Sequence, residues 1–287
     1  MTPTGGCWPR RRGRPCPPPS SPTRADVSGQ RAGLRFRICA LALGLACSLL
    51  AGRPSLAAPF KSWTAVVVAG DSKGAQGGPT EAFDNARRDI ARALSDLGLD
   101  AGQIAQFSVR PGSEQDPRLQ KATARAIYEA LGAQAPTAAG CMVYITSHGD
   151  PRGVVVDDQI LPPSILGLML DRSCGAKPTV VVISACFSGV FVPALAKPNR
   201  MILTAARPDR TSFGCGEADT YPYFDACFLS SLNKVGDFLA LGRAVGACVR
   251  ERETAQGLTP PSEPQVWIGP QLRPVLPLLT FPEPPSR

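Results

Sequence analysis

Apolar and polar positions along this chain fall into two patterns. Short runs of continuously apolar, largely β-branched residues occupy Trp63 to Ala69, Ile104 to Val109, Cys141 to Ser147, Thr179 to Ala185 and Arg200 to Ala205. Runs of this length, bounded by Gly and Pro, read as strands buried on both faces. Between them the apolar positions recur at helical spacing. Glu81 to Leu97 places Phe83, Ala86, Ile90, Ala93, Leu94 and Leu97 on one face, with Arg87, Arg88 and Asp96 on a solvated one. Pro117 to Leu131, Pro162 to Ser173, Tyr223 to Leu232 and Phe238 to Arg252 read as further helices. Pro151 to Asp158 is a hairpin-like excursion, its Asp157 and Asp158 a solvated turn. Gln265 to Ile268 is a short edge strand in a tail rich in Pro.

Strand, helix, strand in alternation predicts right-handed crossovers and a mostly parallel α/β sheet of five or six strands, with helices on both faces. In such sheets chemistry collects at the carboxyl edge. Two of the predicted strands end in reactive side chains there. One runs into Thr146-Ser147-His148-Gly149, the other into Ser184-Ala185-Cys186-Phe187-Ser188-Gly189. A crossover helix joins them, so His148 and Cys186 are expected to meet although 38 positions separate them. An imidazole beside a thiol can accept its proton and later return it to a leaving amine. Gly149 lets backbone N–H groups approach a substrate carbonyl. The chain holds one His, so imidazole chemistry rests on His148 alone.

These segments resemble the legumain-type peptidases, family C13, and most closely their exported bacterial members. The likeness extends through Ile202-Leu203-Thr204-Ala205-Ala206 and Ser212-Phe213-Gly214-Cys215, over about residues 60–250. It implies a caspase-like three-layer sandwich and a cysteine-type endopeptidase. Cys186 would be the nucleophile, His148 the acid/base, and the backbone N–H groups of Gly149 and Cys186 the oxyanion hole. It also implies a substrate pocket drawn from Ser184, Ser212, Asp225, Glu217 and Asp219. Ser147 and Ser184 stand where legumain carries acidic residues, so preference for Asn is not carried over. No third member of a triad is evident. The alternatives are a transpeptidase using the same acyl-enzyme, a non-catalytic binding module on the same fold, and a thiol redox protein.

Composition changes the picture in one respect. The formal charge of +8 suggests a polyanionic partner, but residues 1–58 hold nine Arg and one acid, leaving 22 basic and 22 acidic residues in the remainder. The body is neutral, so neither nucleic acid nor an anionic membrane surface is indicated. Residues 1–30 are Pro- and Arg-rich and are expected to be disordered, or to precede the start codon actually used. Residues 31–57 read as a signal peptide: Arg31, Arg35 and Arg37, a 14-residue apolar run from Ile38 to Ala51, and cleavage after Ala57. The peptidase domain is placed at 58–253 and the tail at 254–287. The expected location is periplasmic or extracellular, with peptides or proteins as substrates and no membrane contact beyond the signal.

Six Cys follow the signal segment. No Cys-x-x-Cys and a single His give no zinc pattern, and no cofactor or metal is implied. Cys141 and Cys174 flank the two site-bearing strands at the edge opposite the catalytic residues and are expected to pair. If Cys186 stays free, at least one other thiol must also be unpaired. Gly70 to Gly78 is glycine-rich and follows a strand, but lacks both the Gly-Lys-Ser/Thr ending and the Gly-x-Gly-x-x-Gly spacing of phosphate loops. It is expected to be a mobile loop beside the active site.

Overall fold

The structure, a computed structural model, describes residues 59–113 and 116–282. The expected disordered leader and signal peptide, residues 1–30 and 31–57, lie outside the described residues.

Continuous apolar runs of five to seven residues form the centre of one sheet. Its strands are β1 (Trp63–Ala69), β2 (Ile104–Ser108), β3 (Leu119–Lys121), β4 (Gly140–Thr146), β8 (Thr179–Ser184), β9 (Arg200–Thr204) and β10 (Gln265–Ile268). Their spatial order is β10-β9-β8-β4-β1-β2-β3. All neighbours are parallel except β10, which runs antiparallel to β9 at the edge. Every residue of β1, β4, β8 and β9 is buried, as strands covered on both faces require.

Alternation along these strands divides the interior in two. Ala65, Val67, Met142, Tyr144, Val180 and Val182 face α1 (Ala82–Asp96), α5 (Tyr223–Leu232) and α6 (Phe238–Ala255). Val66, Val68, Val143, Ile145, Val181 and Ile183 face α2 (Ala124–Gln134), α3 (Pro163–Ser173) and the short α4 (Phe191–Leu195). The result is a three-layer α/β sandwich. Each fully buried Val or Ile contributes about 1.5–3 kcal/mol, so the sheet's position is fixed from both sides. Leu272, Leu276 and Phe281 of the Pro-rich tail close the first core, where Phe281 meets Phe60 and Phe238 ring to ring.

Two local readings change and a third, the hairpin-like excursion, is extended. The helix expected from Pro117 begins instead at Ala124, because Thr123 accepts the Ala126 N–H as its cap, while Leu119 is drawn into β3 beside Gln106. That strand and β10 bring the sheet to seven. Arg87, expected on a solvated face, is 1% exposed. Its guanidinium reaches Asp84 at 3.3 Å, one turn back, and Gln106 of β2 at 2.5 Å, so the charge is buried with partners. Pro151 to Asp158 becomes part of a separate antiparallel sheet of β5 (Gly149–Asp150), β6 (Gly153–Val156) and β7 (Gln159–Leu161).

Two disulfides fasten the layers. Cys141–Cys174 ties the start of β4 to the end of α3, and Cys227–Cys248 ties α5 to α6, with Cα separations of 6.2 and 5.7 Å. Among the described residues, no helix is long and apolar enough to cross a membrane.

Candidate active site

Register decides where the reactive residues stand. Thr146 of β4 lies level with Ser184 of β8, and the ladder continues one step as Ser147 N–H donates to the Ser184 carbonyl at 3.0 Å. His148 and Cys186 each follow two residues on, at the tips of adjacent parallel strands. Their backbones pack closely: a Cβ added to Gly149 would lie 2.4 Å from the Cys186 carbonyl oxygen. No other residue type fits at 149 without moving one of the two strand tips. Phe187 then turns the chain sharply, with φ 56°, a left-handed conformation that a bulky side chain adopts at a cost of about 1–3 kcal/mol. Its N–H is fixed to the Arg210 carbonyl at 2.8 Å.

The loops after β1 and β9 flank this pair. From the β1 side, Lys73 presents its carbonyl oxygen 2.8 Å from His148 Nε2. A carbonyl only accepts, so Nε2 carries the proton, and in the neutral ring Nδ1 is left as the basic nitrogen. Phe83, in the first turn of α1, packs edge-on against the imidazole at 5.2 Å between centroids. From the β9 side, Ser212 N–H points at Cys186 Sγ at 3.3 Å, and the Ser212 carbonyl and Oγ each lie 3.6 Å from that sulfur. Cys186 and Cys215 are the free thiols among the described residues. Cys215 is pushed up to about 11, chiefly by burial and next by the neighbouring Cys186.

The residues expected to form a substrate pocket separate into different roles. Ser212 touches the sulfur. Ser184 is 2% exposed and Asp225, in the first turn of α5, is fully buried. Asp225 accepts from Tyr144 Oη at 2.5 Å and Thr146 Oγ1 at 2.7 Å, and it also bonds Ser184. One carboxylate thus joins β4 and β8 directly beneath the tips that carry His148 and Cys186, and it presents no open face to a substrate side chain. Burial raises its pKa to about 6 against the lowering effect of the three hydroxyls. Burial, and after it the same Asp225 carboxylate, push the Tyr144 phenol up.

Glu217 and Asp219 are engaged with backbone. Asp219 Oδ2 accepts the Gly216 N–H at 2.8 Å. Glu217 Oε1 accepts the N–H groups of Gln76 and Gly78, both at 3.1 Å. Its own N–H and these two hold its carboxyl below the usual range. The glycine-rich loop is therefore pinned to the segment after β9, and two further bonds help: Ala75 N–H to the Cys215 carbonyl at 2.8 Å and Thr80 Oγ1 to the Gly216 carbonyl at 3.0 Å. Among the described residues, no group of three or more His, Cys, Asp or Glu is placed to hold a metal ion.

Sequence reasoning missed Lys73, Phe83 and the placement of Cys215. Lys73 acts through its main chain and leaves no side-chain signature. Phe83 lies on the apolar face of its helix, where a core role accounts for it. The odd thiol left once Cys186 is set aside is the one available hint at Cys215.

No curated protein matches the chain. Among solved structures, the chain is similar in fold to the crystal structure of caspase-1 from Spodoptera frugiperda, at 14% identity and a TM-score of 0.51, covering 73% of this chain and 87% of that one. Residues 136–238, which include both reactive strand tips, match the model of the Peptidase C13 family. The chain thus carries a segment similar to the Peptidase C13 family on a caspase-like fold.

Proposed function

We propose that this protein is a cysteine endopeptidase working through an acyl-enzyme on Cys186. The observation that carries the reading is the register of β4 and β8, which sets His148 and Cys186 level at adjacent strand tips with Gly149 against the Cys186 backbone. Cys186 Sγ attacks the scissile carbonyl carbon while His148 Nδ1 holds the thiol proton. The backbone N–H groups of Gly149 and Cys186 receive the negative charge that develops on the carbonyl oxygen. The C–N bond breaks as His148 returns the proton to the departing amine. Water, deprotonated by the same nitrogen, then cleaves the thioester and frees the thiol. Throughout, the Lys73 carbonyl fixes the tautomer that leaves Nδ1 available. The two disulfides support an oxidising compartment and hence export, periplasmic or extracellular.

Peptidyl acyloxymethyl ketones varied at P1 test the reading. Wild type should be labelled at Cys186 and should cleave the matching peptide, whereas Cys186→Ala should do neither and His148→Ala should lose cleavage. Labelling that persists in Cys186→Ala would sink it. Mass analysis of products formed with an added amine separates hydrolysis from transpeptidation.

A further inference from the structure

We propose that Glu217 is a positioning residue: its carboxylate fastens the 74–78 turn and thereby holds the Lys73 carbonyl against His148. The inference rests on the peptidase reading and assigns a task to the glycine-rich loop. Glu217 Oε1 receives two backbone N–H groups from that turn, Gln76 and Gly78, across 141 and 139 positions of sequence. The turn closes on itself as Gly74 N–H bonds the Gly78 carbonyl at 2.7 Å, and Lys73 bridges to Pro79. Lys73, immediately before the turn, is the residue that contacts His148 Nε2.

The glycines are cut to fit this carboxylate. A Cβ at Gly74 would lie 2.8 Å from the Glu217 carboxyl carbon and Oε1, and one at Gly78 would lie 3.0 Å from Glu217 Cγ. Gly77, at φ +89°, supplies the left-handed residue the turn needs. The composition of the loop is therefore that of a cradle for a side chain of this same chain. An acid selecting a basic P1 residue would instead keep its oxygens for substrate, whereas both bonds to Oε1 here are to backbone.

The same clasp connects the two halves of the site. Glu217 lies five residues beyond Ser212, whose N–H faces Cys186 Sγ, so one segment touches the nucleophile and secures the loop that orients the base. Misplacing a catalytic group by about 1 Å can cost about a hundredfold in rate. Because Ala75–Cys215 and Thr80–Gly216 bonds remain without the carboxylate, a loss nearer tenfold is expected.

The test compares Glu217→Ala with Glu217→Gln, whose amide oxygen can still accept both N–H groups. Hydrogen exchange of peptides spanning 71–80 should quicken at least tenfold in the alanine variant and stay close to wild type in the glutamine variant. With the best peptide from the P1 series, Glu217→Ala should lose about tenfold in kcat with KM within threefold, and Glu217→Gln should recover most of it. Unchanged exchange in Glu217→Ala, or faster exchange with full kcat, overturns the proposal. So does a glutamine variant as poor as alanine with its P1 preference moved away from basic residues, which makes Glu217 a specificity acid. Wild type that neither cleaves peptides nor labels at Cys186 overturns the peptidase reading and the positioning role with it, while exchange still reports on the clasp itself.

Discussion

Asp225 offers the sharpest test of the packing beneath the site. It is fully buried, and it is the shared acceptor for Tyr144 and Thr146 of β4. Two effects oppose each other there. Burial penalises the carboxylate, and hydroxyl donors favour it; burial wins, and the pKa rises from 3.8 to about 6. In the unfolded chain the group titrates near its ordinary value of ~3.9. Between about pH 4 and 6 the folded state therefore binds more protons than the unfolded one, and stability falls as pH rises through that window. A shift of about two units at ~1.4 kcal/mol each gives a loss of about 3 kcal/mol, complete above about pH 6. Asp225→Asn removes the titration while keeping the shape. Urea unfolding of both proteins at pH 4, 5, 6 and 7, disulfides intact, isolates the effect, because other groups cancel in the difference. The wild type should exceed the variant most at pH 4, and its advantage should shrink by about 2 kcal/mol by pH 7, the unfolded group being already half ionised at pH 4. A difference that is flat with pH, or that grows with pH, would show that the hydroxyls outweigh burial and would refute the reasoning. Asp225→Ala should be worse at every pH, since the Tyr144 and Thr146 hydroxyls would be left buried without their acceptor at about 1–3 kcal/mol each.

Three further outcomes are expected. Gly149→Ala should fold but lose about a hundredfold in kcat/KM against a fluorogenic peptide, because its Cβ would lie 2.4 Å from the Cys186 carbonyl and must displace a strand tip. Brief iodoacetamide treatment near pH 7.5 should spare Cys215, whose pKa of about 11 leaves on the order of one thiolate in several thousand; peptide mapping reads the site, and rapid alkylation at 215 would contradict its burial. Replacing Cys141 and Cys174 together by Ala should lower unfolding free energy by about 3–4 kcal/mol, given a loop of 33 residues. Denaturant midpoints should show that loss with little change in kcat, since the bond lies at the edge of the sheet opposite His148 and Cys186.

How much of this was legible in the chain depended on how local each signal is. The runs at 63–69, 141–147, 179–185 and 200–205 were readable because a strand buried on both faces leaves an unbroken apolar run. Their order then placed His148 and Cys186 at one edge, since parallel neighbours open their carboxyl ends together. Arg87 went the other way. Its helical position and charge both argue for solvent, and it is buried with partners that include Asp84 one turn back and Gln106 brought over from β2. Asp225 shows the same limit: a carboxylate in the first turn of a helix looks exposed until Tyr144 and Thr146 are brought over it.

The sequence by itself determined the layers, the sheet's direction and the level placement of His148 and Cys186 at adjacent strand tips, because periodicity and strand-end position are properties of neighbouring residues. Tertiary structure alone decided which groups surround those two tips. The acceptor for His148 is a main-chain carbonyl at Lys73, and every residue has one. The carboxylates at 217 and 225 acquired partners 41 to 141 positions away in sequence. Such contacts are set by how the loops after β1 and β9 close on one another and how α5 packs on β4 and β8, and that geometry has no local record in the order of amino acids.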